Sequence, residues 1–238
     1  EPTFRKELFE KYQAKRPEME EGMASQFALV RDVIGAFKIP VYDAAGFEAD
    51  DVMATLAKQA PMQVVIITGD RDLLQLVNDR VKVYMPTKGI SEGRLMGEAE
   101  VIEKMGVRPK LIPDLKALMG DPSDNYPGVS GIGPKTAVAL LEQYGSVKEL
   151  LKAKKISDSA SARLGLELAT IRTDAPVAFS TGSARIEILD TLDARTKLAE
   201  LHFPSLVKRL SGKVDKQEKP KKESLKKPEE KKEQLSLV

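Results

Sequence analysis

The sequence has no cysteine, no tryptophan and no long apolar segment. Its 238 residues contain 0 Cys and 0 Trp, and aromatic residues make up 5% of the chain. The absence of cysteine excludes a disulfide scaffold, a thiolate zinc site and a cysteine nucleophile. Apolar runs such as Val64–Ile67 are far shorter than a bilayer span. No charged-then-apolar leader is present, so we expect a soluble, cytoplasmic protein without a membrane partner.

Positive and negative charges nearly balance, but they are unevenly distributed. The chain has 38 Lys+Arg and 36 Asp+Glu, and the last segment, Gly212–Val238, holds nine Lys and six acidic residues. This segment alternates Lys, Glu and Pro and offers little to bury, so we predict a disordered linker over 212–238. The rest of the chain is long and apolar enough to bury a sizeable core.

Apolar residues in the first part of the chain alternate between helical and strand spacing. Helices are indicated over 24–37, 48–60 and 73–77, and strands over 38–42, 63–68 and 81–85. The segment QVVIIT at 63–68 is continuously apolar, which is typical of a strand buried on both faces of a parallel sheet. We therefore predict an α/β domain with a mostly parallel sheet for residues 1–95.

After residue 95 the pattern becomes helical. Glycine and proline separate segments of helical spacing over 98–105, 109–119, 134–144, 147–153 and 159–171. We predict a helical subdomain for residues 96–211, packed against the sheet.

Acidic residues cluster at three places along the chain. The first group opens a predicted helix, the second follows the strand 63–68, and the third lies in a Gly/Pro-rich loop: Glu48, Asp50 and Asp51; Asp70 and Asp72; Asp121 and Asp124. Each group alone is also explained by a helix cap or a turn. In one crevice at the carboxyl ends of the strands, however, seven carboxylates would repel each other unless a cation were present. Oxygen ligands suit hard divalent ions, and two ions about 4 Å apart can clamp a phosphodiester.

A glycine-rich turn precedes one of the predicted helices. Residues 128–133 (GVSGIG) are followed by Pro134, Lys135 and Thr136. The glycines let the backbone approach a ligand closely, and proline suits the first helical position. Exposed N–H groups at such a helix start can hold a DNA phosphate without reading bases. The segment has the form of a helix-hairpin-helix turn and indicates contact with DNA.

Four segments together resemble a known nuclease family. They are FRKELFEKYQAKRP (4–17), FEADD (47–51), TGDRDLLQLV (68–77) and MGDPSDNYPGVSGIGPKTA (119–137). They are similar, in order, to the flap-endonuclease family, which includes the 5′-nuclease domain of bacterial DNA polymerase I, and the resemblance extends to about residue 210. It implies a PIN-like sheet with a helix-3-turn-helix module. The implied activity is metal-dependent hydrolysis of DNA at 5′ ends and flaps, near single-strand to duplex junctions, in replication and repair.

The resemblance also implies roles for individual residues. It implies two bound Mg²⁺ or Mn²⁺ ions. The first would be held by Glu48, Asp50 and Asp51, and the second by Asp70, Asp72, Asp121 and Asp124. It implies catalytic roles at the base of a helical arch for Arg5, Lys15 and Arg16, and DNA contacts for Tyr12, Gly128, Val129, Gly131, Ile132, Gly133, Lys135 and Thr136. Family members often bind K⁺ at the hairpin, here around 129–132. The implied partners are DNA with 5′ ends or flaps and a covalently linked polymerase portion, and the implied oligomeric state is a monomer.

The chain departs from the family pattern in two ways. The family's opening strand, which ends in an Asp-Gly-Asn-type motif, and a second strand-end Asp would both precede Glu1. The usual Tyr-Lys pair reads Tyr12-Gln13. Because these changes remove metal ligands and a cation, we expect the chain as given to be a weak or inactive nuclease. The alternatives are a non-catalytic DNA-binding fragment and a PIN-type ribonuclease, although small ribonucleases of that type lack the helix-3-turn-helix module.

Overall fold

The computed structural model describes residues 2–180, 182 and 189–212. They fall into two compact units, Glu1–Ile186 and Glu187–Val238. Apart from Gly212, the linker predicted over 212–238 lies outside the described residues. Within the described part of the chain, no helix is both long and apolar enough to cross a membrane.

Ten α-helices and a few short strands make up the described residues. The helices are α1 (Phe4–Leu8), α2 (Glu21–Ala36), α3 (Ala49–Gln59), α4 (Glu98–Met105), α5 (Ile112–Met119), α6 (Pro134–Tyr144), α7 (Val147–Lys152), α8 (Ser159–Ala169), α9 (Leu192–Glu200) and α10 (Pro204–Leu210). The strands are β1 (Val64–Ile67), β2 (Val81–Lys88), β3 (Glu92–Met96), β4 (Gly120–Asp121) and β5 (Tyr126–Pro127). Helices α9 and α10 belong to the second unit, and all the other elements belong to the first.

The main sheet has the order β1-β2-β3. Strand β1 runs parallel to β2, with Val64 opposite Val81, and β2 runs antiparallel to β3. A parallel pair needs a crossover of about a dozen residues. Here the crossover covers 68–80 and contains a 3₁₀ segment, Asp72–Leu76, where the sequence predicted a helix over 73–77. The crossover places Asp70 and Asp72 directly after the carboxyl end of β1.

One predicted strand is absent, the predicted burial of another was wrong, and one strand was missed. Residues 38–42 form no ladder, because Lys38 leaves α2 with a φ of +55° and Pro40 has no N–H to donate. Strand β1 is not buried on both faces, since Val65 and Ile67 are 55% and 59% exposed. Among the described residues β1 pairs with β2 alone. Strand β3 was missed because its residues are mostly exposed and show no apolar alternation.

The helix predictions from residue 98 onwards are confirmed, and caps explain where the helices begin and end. Gly106 and Gly145 end α4 and α6 in the left-handed conformation. The side chains of Ser146 and Asp158 accept N–H groups at the starts of α7 and α8. The amphipathic helix predicted over 24–37 is α2, although Phe27 is 54% exposed and no residue of this helix is buried.

A single apolar core joins the sheet to the helical half of the first unit. Fully buried members include Val83 and Met96 from the strands and Ile112, Leu118 and Leu141 from the helices. Burying a side chain of this size contributes about 1.5–3 kcal/mol relative to leaving it exposed. The core therefore fixes α5 against the crossover that carries Asp70 and Asp72.

Candidate metal centre and nucleic-acid interface

One cleft of the first unit is lined by carboxylates from all three acidic segments. Those lining it are Glu48, Asp50, Asp70, Asp72 and Asp124. One carboxylate oxygen from each of Asp72, Asp121 and Asp124 lies within 4.8 Å of the other two. The fold thus brings together groups that are more than 70 residues apart in the sequence, as the metal interpretation requires.

Asp51 is the exception among the predicted ligands. It is fully buried, and Arg5 donates to both of its oxygens, at 2.8 and 2.9 Å. The backbone N–H groups of Glu48 and Arg172 donate to the same carboxylate, at 3.0 and 2.8 Å. Because both oxygens are already occupied, the assignment of Asp51 to a metal ion was wrong. It pairs with Arg5 and caps α3.

The side chain of Arg5 is also fully engaged by other protein groups. Its side chain is 3% exposed, and besides Asp51 it donates to the carbonyl oxygens of Leu168 and Thr170, at 2.9 and 3.1 Å. Its Nη1 also lies 3.6 Å from Glu48 Oε2. A guanidinium with these partners cannot reach a DNA phosphate, so the catalytic role predicted for Arg5 was wrong. It holds α1 against the start of α3 and the end of α8.

Tyr12 lies at the buried floor of the cleft. It is 3% exposed, and its ring stacks on Tyr126 with 6.5 Å between centroids. Its hydroxyl donates to Asp124 Oδ2 at 3.2 Å and lies 3.4 Å from Glu48 Oε2. The direct DNA contact predicted for Tyr12 was therefore wrong, because its ring offers no free face to a base.

The segment after Tyr12 wraps around Asp124. Arg16 Nη2 and Gln13 Nε2 lie 2.8 and 3.2 Å from Asp124 Oδ1. The backbone N–H of Gln13 donates to the Asp124 carbonyl at 2.9 Å, from a residue with a φ of +56°. Sequence reasoning treated Gln13 only as a lost lysine and missed this contact. Lys15 is exposed on the same segment.

Asp121 closes a turn and also belongs to the carboxylate cluster. Its Oδ1 accepts the N–H and the hydroxyl of Ser123, at 2.8 and 2.5 Å, which closes an Asx turn. Gly120 before it has a φ of +76°, and β4 pairs with β5 at this point. The turn thus holds Asp121 in place with one oxygen and leaves the other, Oδ2, facing the cluster.

A lysine that sequence reasoning did not single out reaches this second oxygen. Lys116 Nζ, from α5, lies 2.5 Å from Asp121 Oδ2 and also forms an ion pair with Asp72. Burial opposes the charge on Lys116, but the two carboxylates outweigh it and raise its pKa. Burial likewise works against ionisation of Asp121, yet the bonds from Lys116 and Ser123 lower its pKa. The spacing of Lys116 and Asp121 in the sequence gives no signal of this pairing.

Negative charge remains in excess around the cleft. Seven carboxylates face three cations, Arg5, Arg16 and Lys116. Burial and the charges of Asp70, Asp72 and Glu48 raise the pKa of Asp50 to about 6. Burial also raises the pKa values of Glu48 and Asp72. A divalent ion would relieve this repulsion.

The side chains around the cluster fit a hard divalent ion. The candidate ligands among the described residues are carboxylate oxygens, which Mg²⁺ and Mn²⁺ prefer. Among the described residues, the buried hydroxyl of Tyr126 has no hydrogen-bond partner. Burial and the nearby charges of Asp121, Asp72 and Asp124 raise its pKa. A metal-bound water would give this hydroxyl a hydrogen-bond partner.

The glycine hairpin is anchored at one end and open at the other. Val129 is buried, and its N–H donates to the Leu118 carbonyl at 2.8 Å, while Ile132 packs against the core. Gly131, with a φ of +79°, and Gly133 are exposed and have open space where a side chain would begin. Lys135 and Thr136 are exposed in the first turn of α6. The outer backbone of the hairpin is therefore accessible to a phosphate.

Two family models match consecutive parts of the chain. Residues 1–106 match the 5′-3′ exonuclease, N-terminal resolvase-like domain, and residues 107–191 match the 5′-3′ exonuclease, C-terminal SAM fold. DNA polymerase I of Bacillus caldotenax is 39% identical over 232 residues, which cover 92% of this chain and 26% of the relative. The thermostable DNA polymerase I of Thermus filiformis is 40% identical over 236 residues, covering 92% and 28%. The chain thus spans about a quarter of the length of these curated relatives.

Solved structures share the fold at lower identity. The D15 protein of bacteriophage T5, co-crystallised with metal ions, aligns with a TM-score of 0.62 and 21% identity, covering 90% of this chain and 83% of that one. The catalytic core of Rad2 in complex with a DNA substrate aligns with a TM-score of 0.55 and 15% identity, covering 91% and 77%. At these identities the likeness shows the fold alone, and it confirms the predicted combination of an α/β sheet domain with a helical one.

Proposed function

Because the two matching models together cover residues 1–191 and place this chain in the 5′-3′ exonuclease family, we propose that its acidic cleft hydrolyses DNA phosphodiesters at 5′ ends and flaps. The observation that carries the proposal is the cluster of Asp72, Asp121 and Asp124 beside the unpartnered hydroxyl of Tyr126. Chains of this family are nucleases, and the donor set here suits divalent ions. The substrate structure and the roles of single residues are our proposal.

The carboxylates divide into two sets by position. Glu48 and Asp50 lie at the start of α3, and we assign them to a first Mg²⁺ or Mn²⁺ ion. Asp70 and Asp72 follow β1, whereas Asp121 and Asp124 lie between α5 and α6, and we assign all four to a second ion. Such ions activate a water molecule and stabilise the leaving oxygen when they are bound. Tyr12, Gln13 and Arg16 hold Asp124 in place, and Arg5 with Asp51 fixes the start of α3.

Exposed cations beside the cleft are suited to the DNA strand. Arg16 is 56% exposed while it pairs with Asp124, and Lys15 is exposed one residue before it. We assign both to contacts with the phosphates next to the bond that is cut. A flap endonuclease of bacteriophage T5 has been crystallised with DNA and metal ions, and its fold is similar, with a TM-score of 0.59 and 22% identity. This likeness supports a DNA path across the cleft.

The hairpin supplies a second contact, with the duplex. Gly131, Gly133, Lys135 and Thr136 present N–H groups and one charge at the start of α6. These groups bind phosphate without reading the base sequence. We propose that Gly128, Val129 and Ile132 shape the loop, and that a K⁺ ion around 129–132 bridges it to the DNA.

The curated relatives suggest a larger setting. They are DNA polymerases about four times as long as the matched segment. We propose that this chain is the 5′-nuclease portion of such a polymerase, that residues 212–238 link it to the polymerase portion, and that it works as a monomer in the cytoplasm. The match of residues 107–191 to the SAM fold of this family makes a PIN-type ribonuclease the weaker alternative.

A cleavage assay tests the proposal. The full chain is incubated with a 5′-labelled flap DNA in Mg²⁺ and in chelator, beside Asp121→Asn and the control Asp79→Asn, whose side chain is exposed in a turn. We expect slow, Mg²⁺-dependent cuts at the junction, a loss of about 100-fold or more in Asp121→Asn, and no change in Asp79→Asn. Cleavage in chelator, or equal rates for both variants, would contradict the proposal. DNA binding without any cleavage would favour the non-catalytic fragment, and preference for an RNA flap would favour the ribonuclease.

A further inference from the structure

Lys116 occupies the position between two proposed metal ligands. Its ammonium group contacts Asp72 and lies 2.5 Å from Asp121 Oδ2. The side chain is 13% exposed, and the two carboxylates are 16% and 8% exposed. An ammonium group has three donors and no acceptor, so these contacts use carboxylate lone pairs that a metal ion would need. Water screens little of the interaction because all three side chains are nearly buried.

A divalent ion and this ammonium cannot share the pair of carboxylates. Two cations bound to the same oxygens would lie only a few ångströms apart in a poorly screened place, where their repulsion is large. The lysine stem is flexible, so the ammonium can swing away while α5 stays in place. Binding of the metal therefore carries the cost of breaking two ion pairs.

The backbone that carries the two carboxylates is held by groups other than Lys116. Asp121 is held by Ser123 through Oδ1, the oxygen that Lys116 does not use. The backbone N–H of Asp72 donates to Asp70 Oδ1 at 2.9 Å, which fixes the turn that carries it. Removal of the ammonium would leave Asp121 and the backbone of Asp72 in place, with two carboxylates that repel each other, and both effects favour a divalent ion.

We propose, resting on the proposed metal-dependent function, that Lys116 is the resident counter-ion of Asp72 and Asp121. It acts as a positioning residue that must leave before a divalent ion binds. It keeps the metal-free cleft folded and lowers the affinity of the second metal position, so that the ion binds weakly unless other groups, such as DNA phosphates, complete its shell. The opposite hypothesis, that Lys116 organises the site for the metal, predicts the reverse change in affinity.

Mn²⁺ binding to the full chain separates the two hypotheses. Free Mn²⁺ is measured by electron paramagnetic resonance during titration of the wild type, Lys116→Met, Lys116→Arg and the control Lys110→Met, whose side chain is exposed six residues earlier. We expect Lys116→Met to bind Mn²⁺ at least about fivefold more tightly, with Lys116→Arg and Lys110→Met close to the wild type. Unchanged or weaker binding by Lys116→Met would overturn the inference.

A measurement on the wild type alone covers the case in which Lys116→Met does not fold. Acetylation of lysines by acetic anhydride is read by mass spectrometry with and without saturating Mn²⁺. We expect the reactivity of Lys116 to rise several-fold when Mn²⁺ is bound, and that of Lys110 to stay constant. Equal reactivity of Lys116 in both states would overturn the inference while leaving the proposed function intact. If Mn²⁺ binds neither the wild type nor any variant, the proposed function fails and the inference fails with it.

Discussion

The acidic cleft and the glycine hairpin are built in opposite ways. The cleft collects buried or half-buried side chains from residues as far apart as Tyr12 and Asp124, and its charges pair with one another. The hairpin consists of nine consecutive residues, 128–136, whose outer backbone is exposed. The cleft therefore depends on the whole fold of the first unit, whereas the hairpin depends on local conformation. Substitutions in the two regions should therefore differ in their effects on stability and on DNA binding.

The largest effect is expected at Arg5, beneath the cleft. Arg5→Met leaves Asp51 fully buried and without a charge partner, which costs about 3–5 kcal/mol of unfolding free energy. The control is Arg31→Met, whose pair with Asp43 is exposed on both sides and should cost less than about 1 kcal/mol. Urea unfolding of both variants measures the difference, and equal losses would show that the cleft is not held together by this buried pair.

The next effect is expected where the two regions touch. A Cβ at Gly128 would lie 2.3 Å from the Met119 carbonyl carbon and 2.4 Å from Gly120 N, so Gly128→Ala must displace the turn that carries Asp121. We expect a loss of about 1–3 kcal/mol. The control Gly22→Ala, with open space around that position in α2, should be neutral or stabilising. Thermal unfolding of both variants measures the change in stability. An unchanged stability of Gly128→Ala would mean that the hairpin and the cleft are not coupled at this position.

A smaller effect is expected at Lys135, on the open side of the hairpin. Lys135→Ala removes one exposed charge near the start of α6, so the affinity for duplex DNA should fall a few-fold. The slope of log affinity against log salt concentration should become shallower by about one. The fold and the cleavage rate at saturating DNA should stay the same, unlike those of the cleft variants. Fluorescence anisotropy at several salt concentrations provides the measurement, with Lys110→Ala as control. An unchanged salt slope would remove the hairpin from the DNA interface.

A further effect is expected in the pH dependence of stability. The pKa of Asp50 is raised to about 6 from its usual value of 3.8, so the folded state binds a proton more tightly than the unfolded state. This contribution to stability is present below about pH 4 and is lost as the pH rises to about 6. Asp50→Asn should reduce this loss of stability between about pH 4 and pH 6, and the control Asp79→Asn should leave it unchanged. Urea unfolding in chelator at several pH values tests this, and an unchanged profile in Asp50→Asn would contradict the crowding of charge in the cleft.

The same contrast explains what sequence could predict. The hairpin was found because glycines, Pro134 and Lys135 stand next to one another, and local conformation follows from adjacent residues. The acidic groups were found because β1 is apolar and Asp70 and Asp72 follow it directly. The roles within the cleft could not be read from spacing: Asp51 stands beside Asp50, yet one faces Arg5 in the interior and the other lines the cleft. Which of two neighbours faces inward depends on α1 and α8, which pack there from distant parts of the chain.

Lys116 and Gln13 are two residues of the cleft that could not be predicted from the sequence. Neither residue type suggests a metal centre, and their contacts with Asp121 and Asp124 arise only when the core places α5 and the first segment around the loop 121–126. The missed strand β3 and the exposed residues of β1 likewise depend on which strands are neighbours. Composition alone carries no such information.

The most direct test of the central claim is the position of a bound metal ion. Crystals of the full chain soaked in Mn²⁺ would show anomalous scattering from the ion itself. We predict a peak within about 2.5 Å of carboxylate oxygens from Asp72, Asp121 and Asp124, with the Lys116 ammonium moved out of the cluster. A cluster without a peak at saturating Mn²⁺, with Lys116 still between Asp72 and Asp121, would contradict the proposed metal centre.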